Sequence, residues 1–322
     1  MNNAINIFFR LDSSYKIGSG HLIRCLRIAE SISKKNKIYF ITNKFGGNFN
    51  SLIKKYNILY LKNKDGKQNQ IQDYRQTKLL LQKIKGKKIL FLDHYKLNVL
   101  WQKNISTLVN KLIVIQDEIK KNYCDYYINE NFFIKKPDTK NLKITKCLIG
   151  PKYCIIKKSL KKNKSKKGLF IFFGGTDTKN ITYKILLKLK KITNYPIYVV
   201  IGIKNKNKNK ILSLSKNSIK FIDKYSDLSL ILDKCDKAIV AGGSVLWELI
   251  QKKIQIWAVC TAKNQEYNLY NLKKYRLIKI LDLKKTSQKY LLKIINNKCS
   301  VKYSRIVDGN GIKRILNKIK IK

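Results

Sequence analysis

Five short segments of this 322-residue chain combine polar side chains with glycines or strand ends, the pattern that puts chemistry near backbone. The first runs R-L-D-S-S-Y-K-I-G-S-G-H, from Arg10 to His21. An apolar run ends at Leu11, a polar loop with Asp12, Gly18 and Gly20 follows, and a helix-period segment opens at His21. Glycines in such a loop let backbone approach a ligand, and free N–H groups at a helix start favour anions. A histidine in that first turn feels the positive end of the helix dipole, which favours the neutral imidazole that a general base needs. The plain alternative is a glycine turn with an incidental surface histidine. Against it, the chain has just two histidines, and this one stands where an apolar helix begins.

The second segment is L-F-L-D-H-Y, Leu90 to Tyr95, at the carboxyl end of an apolar run. Asp93, His94 and Tyr95 project from a strand end there, or Asp93 is simply a satisfied cap. Gln116-Asp117-Glu118 reads the same way; paired acids can hold a divalent metal, but nothing else in the sequence supports a metal centre. The third segment is F-F-G-G-T-D, Phe172 to Asp177, with Gly174 and Gly175. The fourth is A-G-G-S-V-L-W-E, Ala241 to Glu248. Gly242, Gly243 and Ser244 would open a helix with Ser244 as N-cap and amides free to hold phosphate. Glu248, one turn further on, could accept hydrogen bonds from ribose hydroxyls, or be an ordinary surface acid. The fifth is A-K-N-Q-E-Y-N, Ala262 to Asn268, where spacing alone makes Asn264 and Gln265 loop residues rather than ligands.

These segments need a scaffold, and the sequence supplies one. Apolar runs Ile5–Leu11, Ile38–Thr42, Ile58–Leu61, Ile89–Asp93, Leu112–Gln116 and Tyr126–Asn129 read as strands between helix-period stretches. His21–Lys35 makes one helix, with Leu22, Cys25, Leu26, Ala29 and Ile32 inward and Arg24, Arg27 and Lys34 facing away. The polar stretch Lys157–Gly168 reads as a linker or excursion, after which alternation restarts at Leu169–Phe173, Ile197–Ile201, Ile219–Ile222, Ala238–Ala241, Ile256–Cys260 and Leu277–Ile280. Lys204–Lys210 reads as a strand-to-helix loop. Strand–helix alternation implies parallel sheets covered on both faces. The expected architecture is α/β, two Rossmann-like domains facing each other across a cleft, with ligands beyond the carboxyl ends of the strands.

Composition narrows the function classes. The net charge of +51 invites a nucleic-acid reading, but seven of the 70 basic residues are Arg, and Ile outnumbers Ala 47 to six. Lys, Ile and Asn are spelled by A/T-rich codons, so the charge reads as mainly compositional, and Arg is the preferred reader of phosphates and guanine. The 19 Tyr and 12 Phe are dispersed rather than interleaved with a basic module, so no nucleic-acid partner is expected. Seven scattered Cys without a C-x-x-C pair read as reduced thiols, not zinc ligands. No apolar run reaches the roughly 18–20 residues of a membrane span, and Met1–Leu11 does not read as a signal peptide, so the expected location is cytoplasmic.

Taken together and in order, the motifs resemble one family. They are R-x-D-S-S-x-x-I-G-x-G-H (Arg10–His21), D-H-Y (Asp93–Tyr95), D-E (Asp117–Glu118), G-G-T-D-x-K-N (Gly174–Asn180), S-x-x-x-E (Ser244–Glu248) and K-N-Q-E (Lys263–Glu266). The family is the UDP-2,4-diacetamido-2,4,6-trideoxy-β-L-altropyranose hydrolases of pseudaminic acid biosynthesis, whose longer members end much like D-G-N-G here (Asp308–Gly311). The resemblance implies a GT-B-like fold related to the glycosyltransferase that makes lipid II. It implies a sugar and catalytic domain over 1–150 and a UDP-binding domain over 151–322, the last helix packing back on the first domain. It also implies water attack at C1 with inversion, without metal or other cofactor. Carried over by position, His21 is the base, and Asp12 holds the N-terminal loop or the sugar. Tyr95 and Asn264 lie near sugar and diphosphate, Ser244 serves phosphate and Glu248 ribose. Gly18, Gly20, Gly174, Gly175, Gly243 and Gln265 complete the expected binding set. Gln116 departs from the acid the family often has there, which leaves that loop's role open. The motifs also fit a second reading, a UDP-sugar glycosyltransferase of the same fold in surface polysaccharide synthesis.

Overall fold

The computed structural model describes residues 4–63, 69–118, 121–132, 143–159, 166–190, 194–222, 228–297 and 306–321. The chain divides into two units, Met1–Ile156 with Asn310–Lys322, and Lys157–Gly309. The centre of the polar stretch read as a linker, 160–165, lies outside the described residues.

The first unit is built on strands β1 (Asn6–Leu11), β2 (Lys37–Asn43), β3 (Asn57–Leu61), β4 (Lys88–Asp93), β5 (Lys111–Ile115), β6 (Tyr123–Asn129) and β7 (Lys143–Ile149). They form one seven-stranded sheet in the order β3-β2-β1-β4-β5-β6-β7, and every pair is parallel. Helices α1 (Gly20–Glu30), α2 (Gln70–Gln82) and α3 (Val99–Ser106) connect them. All six residues of β1 are buried, as a central strand covered on both faces requires. Alternate residues serve two cores. Ile7, Phe9 and Leu11 pack with Leu22, Cys25 and Ile28 of α1. Phe8 packs with Leu81, Trp101 and Ile105 of α2 and α3.

The second unit carries β8 (Leu169–Phe172), β9 (Ile197–Val200), β10 (Ile219–Ile222), β11 (Lys237–Ala241), β12 (Gln255–Val259) and β13 (Lys279–Ile280), with α4 (Ile181–Lys190), α5 (Lys208–Leu212), α6 (Leu228–Leu232), α7 (Val245–Gln251), α8 (Glu266–Lys274) and α9 (Gln288–Asn296). Its sheet is also parallel, ordered β10-β9-β8-β11-β12-β13. One face of it packs on Ile185, Leu186 and Leu189 of α4 and Leu291, Ile294 and Ile295 of α9. The last helix, α10 (Gly311–Ile319), returns to the first unit, burying Ile312, Ile315, Leu316 and Ile319 in the same core as α1. Gly311 lies so close to Cys154 that a Cβ there would stand 2.1 Å from its carbonyl oxygen.

Three local expectations need correction. Helix α1 stops at Glu30 rather than Lys35, because Ser31 caps it: its N–H returns to Ala29 and Ile28 and its hydroxyl donates to the Arg27 carbonyl. Strand β7 was not read from the sequence; in K-I-T-K-C-L-I, polar residues break the apolar run an interior strand shows. The Lys204–Lys210 stretch is loop only to Asn207, the N-cap of α5.

Both sheets share a feature that locates the functional loops. In the first unit the chain runs outward from β1 to β3, then crosses back to β4 on the other side of β1. The loops after β1 and β4 therefore diverge, leaving a crevice at the carboxyl ends of adjacent strands. In the second unit β8 and β11 stand in the same relation.

Candidate active site

In the first unit the loop after β1 is pinned by its own serines. The Ser14 hydroxyl accepts the N–H groups of Lys16 (3.2 Å) and Ile17 (3.1 Å), and the Gly18 N–H donates to the Ser14 carbonyl at 2.8 Å. Gly18 sits at φ +81°, a backbone region that strains any other residue. Gly20 opens α1, and a Cβ on either glycine would meet nothing within 4 Å. The turn therefore delivers His21 into the first helical turn with open space over the backbone beside it.

At this crevice β4 ends in Asp93, which is fully buried. His21 Nδ1 lies 2.5 Å from Asp93 Oδ1. A carboxylate only accepts, so Nδ1 carries the ring proton and Nε2 presents the lone pair of the neutral ring. Among the described residues nothing bonds that Nε2. Arg24, one turn along α1, grips the same carboxylate through Nε to Oδ2 (2.9 Å) and Nη2 to Oδ1 (2.8 Å). Its Nη1 donates to Asp117 Oδ1, and Asp117 Oδ2 accepts the Tyr95 hydroxyl. The Tyr95 ring stands edge-on to His21 with centroids 4.5 Å apart, which closes the circuit. Burial alone would raise the Asp93 carboxyl, but Arg24 and His21 beside it hold it below its usual range. Burial, then the Asp117 carboxylate, pushes the Tyr95 phenol up, so it remains a donor. Glu130 Oε1 lies 3.8 Å from Arg24, and burial keeps its carboxyl above the usual range despite that neighbour.

Asp12 and His94 belong to a second network. Asp12 is fully buried and bonds Arg10, the Asn43 amide (2.9 Å) and Asn43 Nδ2 (3.1 Å). Arg10, buried near the end of β1, is shared with Asp73 of α2, which also accepts Trp101 Nε1 at 3.1 Å. His94 Nδ1 accepts the Lys96 N–H at 3.1 Å, and its Nε2 faces Asp12 Oδ2 at 3.2 Å. Asp12 thus ties β1, β2 and the loop after β4 together.

In the second unit the three remaining segments follow β8, β11 and β12, consecutive strands of its sheet. Gly174, at φ +89°, and Gly243 both leave open space where a Cβ would stand. Gly175 is packed from below by Gly202, whose own Cβ would lie 2.2 Å from the Gly175 carbonyl oxygen. The start of α4 is already served by Asp177, which accepts the N–H groups of Ile181 and Thr182, each at 2.9 Å. Lys179 Nζ reaches the Thr261 carbonyl at 3.1 Å, joining the β8 loop to the β12 loop. Gln265 Oε1 accepts the Thr261 N–H (2.9 Å) and hydroxyl (3.1 Å), and approaches Gly242. Asn264 is half-buried in the short turn Lys263–Gln265, and Glu248 is half-buried on α7.

Of the residues picked from the sequence, Asp12, Gly18, Gly20, His21 and Tyr95 gather at the switch point of the first sheet. Gly174, Gly175, Gly243, Ser244, Asn264 and Gln265 lie on the three adjacent loops of the second, and Glu248 lies on α7, which follows one of them. Two local readings change. Ser244 occupies the N-cap position at φ −60°, ψ −20°, but its side chain makes no capping hydrogen bond; a capping side chain needs an extended backbone there. Arg24 does not face away: it is buried and gripped by two carboxylates. The signal for it was available, because residues three apart share a helix face and Arg24 stands three after His21. Asp93 and Asp117, strand-end acids in the sequence, bond His21, Arg24 and Tyr95 in the structure.

No protein-family model matches the chain. It is 29% identical to the UDP-2,4-diacetamido-2,4,6-trideoxy-beta-L-altropyranose hydrolase of Campylobacter jejuni over 81% of this chain and 94% of that protein. It is 25% identical to the spore coat polysaccharide biosynthesis protein SpsG of Bacillus subtilis over 74% of this chain and 72% of that one. Among solved structures, Acinetobacter baumannii MurG matches with a TM-score of 0.70 at 11% identity, covering 98% of this chain and 99% of that one. CalG4, the calicheamicin glycosyltransferase, matches with a TM-score of 0.68 at 9% identity, covering 99% and 98%. At such identities the structures establish the fold, α/β with two parallel sheets as in the GT-B glycosyltransferases. No helix among the described residues is long and apolar enough to cross a membrane.

Proposed function

We propose that the protein processes nucleotide sugars and, specifically, hydrolyses UDP-2,4-diacetamido-2,4,6-trideoxy-β-L-altropyranose to UDP and the free 2,4-diacetamido-2,4,6-trideoxy sugar. The observation that carries this reading is the His21–Asp93 pair at the first unit's switch point, its Nε2 lone pair without a partner among the described residues. The similarity to the Campylobacter hydrolase supports the substrate.

In this mechanism a water donates a proton to His21 Nε2 as its oxygen attacks C1 of the sugar. The C1–O bond breaks on the opposite side, its electron pair leaves with UDP, and the anomeric centre inverts. Asp93, holding Nδ1–H, stabilises the imidazolium that forms and keeps the ring in one tautomer. UDP is a good leaving group, so the step needs less help from a protein acid than an ordinary glycosidase does. Backbone amides around Gly174, Gly243 and Ser244, with nearby lysines, suit the departing diphosphate. Glu248 suits ribose, and Asn264 and Tyr95 suit the sugar end. Asp12 then holds the loop, since its carboxylate is already committed to protein partners.

The test is a proton NMR time course with that UDP-sugar in EDTA and without acceptor, run beside His21→Ala. Release of UDP and free sugar, lost in the variant, supports the hydrolase. Tight UDP binding with an intact sugar nucleotide overturns it in favour of a transferase awaiting its acceptor, the reading nearer MurG and CalG4.

A further inference from the structure

From the closed circuit around His21 we infer that Arg24 is a positioning residue, acting on His21 through Asp93 and on Tyr95 through Asp117. The inference rests on the reading of His21 as the base. Arg24 and His21 are fixed on one face of α1, three residues apart. The guanidinium presents five donors in a planar fork. Two of them hold Asp93 on both oxygens at 2.9 and 2.8 Å, which fixes the plane of the carboxylate. The Oδ1 so oriented is the atom that takes His21 Nδ1–H. A third donor holds Asp117, whose other oxygen takes the Tyr95 hydroxyl, and the Tyr95 ring packs edge-on against the imidazole.

His21 is therefore held from two directions, by a hydrogen bond at Nδ1 and by an aromatic edge, and both supports trace to one arginine. Asp93 and Asp117 are like charges that would repel without the guanidinium between them. A lysine cannot replace it: a single ammonium has no fork to fix one carboxylate plane while reaching a second acid. A purely structural arginine would add stability and leave the imidazole tautomer alone. A positioning arginine controls the tautomer.

The test uses the full-length protein, with Arg24→Gln, Arg24→Lys and Asp117→Asn. With only two histidines in the chain, ¹⁵N–¹H imidazole spectra resolve each ring, and His94 reports on folding. The expected result is loss of the fixed Nδ1–H tautomer of His21 in both Arg24 variants, with the His94 signals retained. In the same variants kcat falls by about 100-fold, as misplacement of a reacting group does, while UDP affinity is unchanged. Arg24→Gln placed on Asp93→Asn should cost clearly less than the two separate losses combined, since one of the two routes from Arg24 to His21 runs through Asp93. The proposal is overturned if His21 keeps its tautomer in both Arg24 variants and kcat stays within about threefold, or if the Arg24 and Asp93 losses add in full. Should either Arg24 variant lose the His94 signals as well, Asp117→Asn decides. Looser Tyr95 packing, read as a shifted His21 ring resonance with reduced kcat, supports the inference, and an unchanged ring and rate overturn it. A wild-type protein without turnover defeats the hydrolase reading alone; the spectra still decide what Arg24 holds.

Discussion

His21 and His94 carry their ring protons on opposite nitrogens. His21 must have Nδ1–H, because that atom faces the acceptor-only Asp93 carboxylate at 2.5 Å. His94 must have Nε2–H, because the Lys96 N–H occupies its Nδ1 at 3.1 Å, and Nε2 then donates to Asp12 at 3.2 Å. With both rings neutral, the expected imidazole ¹⁵N spectrum shows one ring of each tautomer, and His21→Ala removes the Nδ1–H ring. Two rings of the same tautomer would contradict the assignment of Nε2 of His21 as the base.

Burial holds the His94 ring below the usual histidine range, and the nearby Arg10 charge adds to that, outweighing the pull of Asp12. The unfolded chain, titrating near 6.5, therefore binds more protons than the folded one just below that pH. The sign follows from linkage: stability rises with pH in that window, is full above about 6.5 and is lost as pH falls toward the folded value. Glu130, raised by burial, acts with the opposite sign above about 4.5, so a comparison with a variant isolates the effect. His94→Gln keeps a donor and an acceptor without titrating. Denaturant unfolding at pH 7 and pH 5.5 should show wild type losing more stability than the variant. Equal losses would place the pH dependence elsewhere. Asp12 and Asp93, both held low, matter only in stronger acid.

How much of this was legible in the sequence depended on range. The strand-loop-helix motif around His21 is local, so its glycines, its helix start and its place at a strand end could all be read. Most strands of both sheets are continuous apolar runs and were read within a residue or two. Arg24 was lost because a basic residue on an amphipathic helix reads as outward, and its partners Asp93 and Asp117 lie 69 and 93 residues away. Asp73, buried against Arg10 from 63 residues off, had no local signature at all. Charge pairing across a sheet is decided by topology, and only the strand order brings these partners together.

The Asp93 carboxylate fixes which nitrogen of His21 is free, so Asp93→Asn should be as informative as removing His21. An amide facing Nδ1 offers a donor and stabilises the Nε2–H tautomer, which cannot take a proton from water. The expected loss in kcat is about 10³–10⁴-fold with KM little changed. His21→Ala, which removes the base outright, should cost about 10²–10⁴-fold. Steady-state rates on the UDP-sugar check both, with UDP affinity as the control. A sharp rise in KM at constant kcat would mean that the pair binds substrate rather than activates water.

Beneath the buried strand ends, Arg10 and Asp73 should carry stability rather than rate. Both are fully buried, and removing Asp73 leaves Arg10 with Asp12 as its remaining carboxylate and takes the acceptor from Trp101 Nε1. Asp73→Ala is expected to cost about 3–5 kcal/mol in chemical unfolding, with the midpoint moving and the slope holding. A loss below about 1 kcal/mol, the range of exposed pairs, would show that the network relaxes around the gap.

Gly243 and Gly202 separate the binding and folding roles of glycine in the second unit. A side chain at Gly243 meets nothing within 4 Å, and its φ is not in the left-handed region, so Gly243→Val should fold with a near-native melting temperature. The added methyls would occupy the open space over the amides assigned to diphosphate, and UDP affinity should fall by at least tenfold, about 1.4 kcal/mol. Gly202 is the reverse. A Cβ there lies 2.2 Å from the Gly175 carbonyl oxygen, a backbone atom that no rotamer change can move aside. Gly202→Ala should cost about 1–3 kcal/mol of stability by overpacking, and it weakens UDP binding only through displacement of the Gly174–Gly175 turn. Calorimetric titration with UDP beside thermal melts distinguishes the two. If Gly243→Val binds UDP like wild type, the diphosphate does not lie over that turn, and the assignment of Ser244 to phosphate goes with it.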